Sequence, residues 1–296
     1  MPSSYSPFGR GHSHIMHEDI DRAIADGSSA TLASTLDGAS ASEIQYAARQ
    51  LHVSQKTPQA TWKRAKAMST RPESSSRVLA SHLLTQILFV LPEKAIPLFE
   101  KLLDDSEPAV RDAATTVAGR LLRNEFDGTI EILQEWRLSP SPSVRRAVVV
   151  AAGRAAQPQR PEWAEPLLKL LDPLLQDRDR LIRRALGPSA LGGALLDAYP
   201  RLAFEYITQW STSNDEQVLW NVAMAFSTPP AATMVKKALI ILRKLSLDER
   251  RFVWRAVASA VWKLGRKCPE IVRPELARWI EDERRVEVAR EALKHL

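Results

Sequence analysis

The tetrad Val144-Arg145-Arg146-Ala147 returns in altered form along the chain, and its spacing limits the fold more than any other feature of the sequence. Counterparts begin at Val110, Ile182, Val218, Val253 and Val286, at intervals of 33 to 38 residues, with weaker copies at Ile44 and Val78. A bulky residue keeps step with them. Leu102, Trp136, Leu174, Trp210 and Leu245 each stand eight residues before the aligned Val or Ile, and Trp279 stands seven before Val286. Between these landmarks apolar residues recur at three- and four-residue spacing, and no stretch alternates as a strand would. Each period therefore holds two helices, an outer one ending near the bulky landmark and an inner one starting at the tetrad. A helix pair of this size cannot bury its apolar face alone, so successive pairs must stack.

These features predict an all-α, HEAT-like α-solenoid of about seven to eight two-helix repeats, curved, with a basic concave face. The tetratricopeptide alternative has a similar period, but its Trp–Leu–Gly–Tyr pattern is missing from the outer helices. Residues 1–16 are rich in Ser, Gly and Pro without periodicity and read as a disordered tail, and residues 17–296 read as a single HEAT-like repeat domain. Pro188, inside an otherwise helical pattern, predicts a kink. The periodic tryptophans 136, 210 and 279 are expected to pack between repeats.

Lys and Arg number 41 against 35 Asp and Glu, a formal charge of +6 that suits a polyanionic partner without demanding one. The one cysteine, Cys268, rules out an internal disulfide framework and fits a reducing compartment. No apolar run approaches the roughly 20 residues of a membrane span, and the start of the chain lacks a basic stretch followed by an apolar one. A cytoplasmic monomer with no membrane partner is expected. The cluster His12, His14, His17, Glu18, Asp19 lacks the fixed helical spacing of a metal motif, so neither a metal nor a cofactor is expected.

The arginines of the tetrads carry the functional reading. Cations are disfavoured in the first turn of a helix, where exposed N–H groups already carry partial positive charge. Acids six residues upstream, Asp105 before Arg111 and Asp177 before Arg183, would offset this by pairing along the stack. The stripe extends beyond such pairs. Two positions after the aligned Val or Ile stand Arg146, Arg184, Trp220 and Arg255, with Asp112 as the exception, and Arg145 has Ser139 rather than an acid upstream. Equivalent positions on a solenoid fall in a line. Arg145, Arg146, Arg183, Arg184 and Arg255 are thus candidate phosphate contacts, because guanidinium forks bind phosphate bidentately. Trp220 and Trp254 offer flat apolar surface to a sugar or base edge. The locally basic segment 60–77, with Trp62, Lys63, Arg64 and Lys66, reads as a further DNA-edge contact or a solvated helix face.

The stretches "EILQEWRLSPSPSVRRAVVVAAGR" and "LLDPLLQDRDRLIRRALGPSALGGALLDAYPRLAFEYITQW" resemble repeats of the bacterial alkylpurine DNA glycosylases of the DNA alkylation-repair family. The likeness spans roughly residues 75–280. It implies a HEAT-like fold that cradles duplex DNA mostly through its backbone, and excision of cationic alkylated bases by an aspartate flanked by tryptophans. The nearest carboxylate to that aspartate is Asp112, displaced by about two positions and without an adjacent Trp. Where the resemblance would place a second tryptophan, after "LIRRA", the chain has Gly187-Pro188. The alternative reading is a non-catalytic HEAT-repeat scaffold that grips an acidic protein segment.

Overall fold

A computed structural model describes residues 17–296; the N-terminal segment 1–16 read as a tail, with His12 and His14, lies outside the described residues. The described residues are helical and contain no strand, as the spacing predicts. They form two compact units, which divide between Val117 and Ala118. No described helix is long and apolar enough to cross a membrane.

In the first unit the helices start and stop where the local chemistry dictates. Ser40 opens Ala41–Ser54 with a reciprocal capping box: its hydroxyl accepts from Glu43 N–H, and the Glu43 carboxylate accepts from Ser40 N–H at 2.7 Å. Thr57 caps Pro58–Ser69 and Pro92 opens Pro92–Leu103, each with proline at a position whose N–H would be unpaired anyway. Gly27 (φ 75°) and Gly38 (φ 74°) supply left-handed turns after the first two helices. Leu79, Leu83, Leu84, Phe99 and Leu103 are fully buried between Ser74–Thr85 and Pro92–Leu103.

The second unit repeats the outer-then-inner order. Its outer helices are Phe126–Trp136, Ala164–Leu171, Pro200–Trp210, Val235–Leu245 and Pro269–Ile280. The inner ones are Pro142–Ala155, Arg180–Ala185 with its continuation, Glu216–Ala225, Arg251–Lys267 and Val286–Leu293. Trp136, Trp210 and Trp279 lie at the ends of outer helices and are buried. At Pro188 the helix does not merely bend. Residues Leu186–Leu195 widen into a π-helical stretch, because proline has no N–H to donate to the α-helical ladder. This stretch packs against Glu216–Ala225, which in turn packs against Arg251–Lys267. The approach is close: a Cβ on Gly192 would stand 2.2 Å from the Ala225 carbonyl oxygen, and one on Gly187 3.0 Å from that of Asn221. Backbone therefore meets backbone where the family resemblance would place a tryptophan. Asn221 Nδ2 also donates to the Leu175 carbonyl at 2.9 Å, tying the same helix to the short segment Asp172–Gln176.

Six successive turns between an outer and an inner helix are built alike. Asp105, Ser139, Asp177, Ser213, Asp248 and Asp282 each accept from the N–H two residues on, at 2.9 to 3.4 Å. These short side chains stabilise a turn by capping their own backbone. In the turn at Asp248, the Arg250 guanidinium bonds the carboxylate and holds its pKa below the ordinary carboxylate range. A depressed folded-state pKa stabilises above the unfolded value of about 4 and loses that contribution as pH falls through the folded one. Asp248→Asn, which keeps the turn cap, is therefore expected to cost about 1 kcal/mol at pH 7. Little of that loss should remain at pH 2 to 3, as urea melts at the two pH values would report.

Candidate nucleic-acid interface

The first arginine of the tetrad, and likewise Arg77 just before the aligned Val78, folds back on its own turn, which answers why a cation is tolerated there. Arg77 Nη1 donates to the carbonyls of Arg71 (2.8 Å) and Pro72 (2.7 Å), Arg111 Nη1 to those of Asp105 (2.6 Å) and Ser106 (2.8 Å), and Arg145 Nη1 to those of Ser139 (2.8 Å) and Pro140 (3.0 Å). The guanidinium thus meets carbonyls just past the outer helix, where the partial charge is negative.

The carboxylates do not pair as the six-residue spacing predicts. Asp105 takes the guanidinium of Arg77 (Nε–Oδ2 2.9 Å) and Asp177 that of Arg145 (2.7 Å), in each case from the preceding repeat. Within one turn the downstream arginine reaches only the backbone carbonyl, since the carboxylate is turned to cap the N–H two residues on. Arg145 is consequently engaged on all sides: its side chain is 18% exposed, and Nε, Nη1 and Nη2 all bond protein acceptors.

Arg183 has the same register and a different environment. Asp177 is taken by Arg145, and the next turn offers Ser213 in place of an acid. The Arg183 guanidinium instead lies 5.5 Å from the Trp220 ring and 5.2 Å from the Phe252 ring. Those two rings are stacked, with centroids 5.9 Å apart and planes 17° from parallel. The stack forms one wall of an open pocket of about 480 Å³, which Met224, Arg251, Arg255 and Ser259 also line. Arg255 is 54% exposed and approaches Glu291 at 3.6 Å. A cation over an aromatic face is favourable by about 0.5–2 kcal/mol and becomes stronger as water is excluded.

The sequence-derived candidates thus fall into different settings. Trp220, Arg183 and Arg255 converge on the pocket or its wall. Arg184 is exposed, and Arg146 is half-buried one repeat earlier. Trp254 is half-buried and is not among the pocket-lining residues; Phe252 is the ring that stacks on Trp220. Phe252 and Met224 escaped the sequence reading. Their one signal is register: the residue before the aligned Val or Ile is Glu43, Arg77, Ala109, Ser143, Leu181, Gln217 or Arg285 in the other repeats, and an aromatic ring only here. No carboxylate lines the pocket. Asp215, close by in sequence, spends Oδ1 on the N–H groups of Gln217 (2.8 Å) and Val218 (3.1 Å) as a helix cap. Asp112 is exposed and belongs to the other unit.

A family model described as DNA alkylation repair enzyme matches residues 20–191, more than half of the chain. The chain belongs to the DNA alkylation repair enzyme family. Among solved structures, smu.31 from Streptococcus mutans UA159 superposes with a TM-score of 0.51 at 17% identity, covering 66% of this chain and 97% of that one. The karyopherin Kap121p, solved bound to Pho4p, superposes at 0.54 with 13% identity over 93% of this chain and 33% of the karyopherin. Kap121p bound to the extreme C-terminus of the protein phosphatase Cdc14p gives 0.52, 14%, 94% and 33%. At these identities the likeness extends to the fold, a HEAT-like helical solenoid. No curated protein sequence matches this family member. The family match ends at residue 191, so the aromatic pocket lies beyond it.

Proposed function

We propose that the chain holds duplex DNA by its phosphate backbone, with the sugar-base edge against the Trp220–Phe252 pocket. The observation that carries this reading is the convergence of one register row on one site: Trp220 and Arg255 occupy the same position in consecutive repeats, and both line the pocket. Arg184 holds that position one repeat earlier and Arg146 the repeat before that. Arg183 and Arg251 add charge at the wall and rim. Arg145, bonded on every side, serves the stack rather than the ligand. Arginine supplies charge to phosphates, and a flat apolar ring accepts any base or sugar face.

Binding of this kind weakens steeply with salt, because each neutralised phosphate releases counterions. With about four phosphate contacts, log K is expected to fall against log salt with a slope of about −3 to −4. Arg184→Glu combined with Arg255→Glu is expected to flatten that slope by about two while leaving the helical signal unchanged. Anisotropy titrations with labelled duplex at several salt concentrations measure both. A flat response in the wild type would remove DNA as the ligand.

Base excision needs a carboxylate held against the sugar as positive charge develops, and no acid lines the pocket. Asp112 stays the catalytic candidate on the family resemblance. Loss of methylpurine release on Asp112→Asn would establish it, and undiminished release would discard it. An acidic protein segment is the second reading, favoured by the apolar floor that Met224 and Ala256 give the pocket. Competition of an acidic peptide against the labelled duplex separates the two.

A further inference from the structure

The far end of the helix Arg251–Lys267 carries a second pocket, of about 360 Å³, which shares no lining residue with the first. Its wall holds Lys263, Arg266 and Lys267, and no carboxylate. Among the described residues none of these three cations sits in an ion pair, a contrast with the arginines of the turns. Two of them gather at one ring: Lys263 Nζ lies 5.9 Å and Arg266 Cζ 5.8 Å from the centre of Trp262, with the His295 ring 5.5 Å away.

Two further facts point to an absent anion. Ser227, 9% exposed, lines the pocket with a buried hydroxyl that has no hydrogen-bond partner. Buried hydroxyls almost always find one, so a bound acceptor is the natural completion. Burial also pushes the Lys263 ammonium pKa down, since no counter-charge offsets its desolvation. The neighbouring Thr228 hydroxyl, by contrast, already donates within the fold, with the Gly192 and Ala225 carbonyls at 2.9 and 3.0 Å.

We infer that this pocket binds a phosphomonoester, the terminal phosphate of a DNA strand or of a free nucleotide. Three cations and a hydroxyl donor match the three terminal oxygens and the near-double charge of a monoester better than the two oxygens and single charge of a backbone diester. The site stands independently of the DNA-backbone reading, because it uses other residues at the other end of the helix.

Calorimetric titration of the full chain tests it with two matched pairs of probes. One pair is 5′-AMP and adenosine; the other is an oligonucleotide with and without a 5′-phosphate. The phosphate is expected to tighten binding at least about tenfold in one pair or both, and the responding pair identifies the source. Lys263→Gln with Arg266→Gln is expected to abolish the difference, and Ser227→Ala, which changes no charge, to reduce it about fivefold. Arg184→Glu with Arg255→Glu is expected to leave it intact, so this site and the backbone-binding surface fail or succeed separately. The inference is overturned if neither pair shows a phosphate-dependent difference, or if the difference survives both the Lys263–Arg266 and the Ser227 changes.

Discussion

Replacing Gly192 with alanine is expected to lower stability by about 3 kcal/mol or more, the upper range for an overpacked core. The added Cβ would stand 2.2 Å from the Ala225 carbonyl oxygen and 2.9 Å from its carbonyl carbon, so backbone rather than a flexible side chain would have to yield. Forcing apart the π-helical stretch and Glu216–Ala225 would also break the Thr228–Gly192 hydrogen bond. A melting temperature lower by roughly 5 °C or more is the expected readout in a scan of the full chain. Gly193→Ala serves as the control. Gly193 is exposed, and its nearest heavy atom beyond the local helix is Pro188 O at 3.3 Å, so its change should stay within about 0.5 kcal/mol. Equal losses in the two variants would show that the seam is looser than its geometry implies. The seam also bears on ligand binding, because it sets Trp220, next to Asn221, against the repeat that carries Arg183.

The second large effect is expected at the turn carboxylates. Asp177→Ala removes the cap from the Asp179 N–H and strands the Arg145 guanidinium, 18% exposed, without its counter-charge. Breaking a largely buried pair by removing one partner costs about 3–5 kcal/mol, because the other charge stays desolvated. Some relief comes from the Ser139 and Pro140 carbonyls that Arg145 keeps, so a loss of about 3 kcal/mol is expected. Ser213, at the equivalent position, pairs with no guanidinium; Ser213→Ala should cost only its cap to Asp215 N–H, about 1 kcal/mol. Denaturant melts of the two variants measure the contrast. If Asp177→Ala proved as mild as Ser213→Ala, the arginine ladder would be a surface decoration and Arg145 would return as a candidate ligand contact.

The 33- to 38-residue period alone determined the helix pairs, their order and the burial of Trp136, Trp210 and Trp279, because an amphipathic helix shows its inner face in local spacing. It also aligned Arg145 with Arg183. It could not say that one would be sealed between Asp177 and two carbonyls while the other turned to a ring stack. That depends on whether the next turn supplies an acid or a serine and on which side chain crosses the gap between repeats, both properties of stacking rather than of spacing. Trp254 and Phe252 illustrate the limit: two residues apart on one helix they point about 200° apart, and the packing of Glu216–Ala225 on Arg251–Lys267 selected Phe252 to meet Trp220. The π-helical stretch at Leu186–Leu195 is legible as a breaker in Pro188, yet the close approach to Ala225 that Gly192 permits exists only once the repeats are stacked.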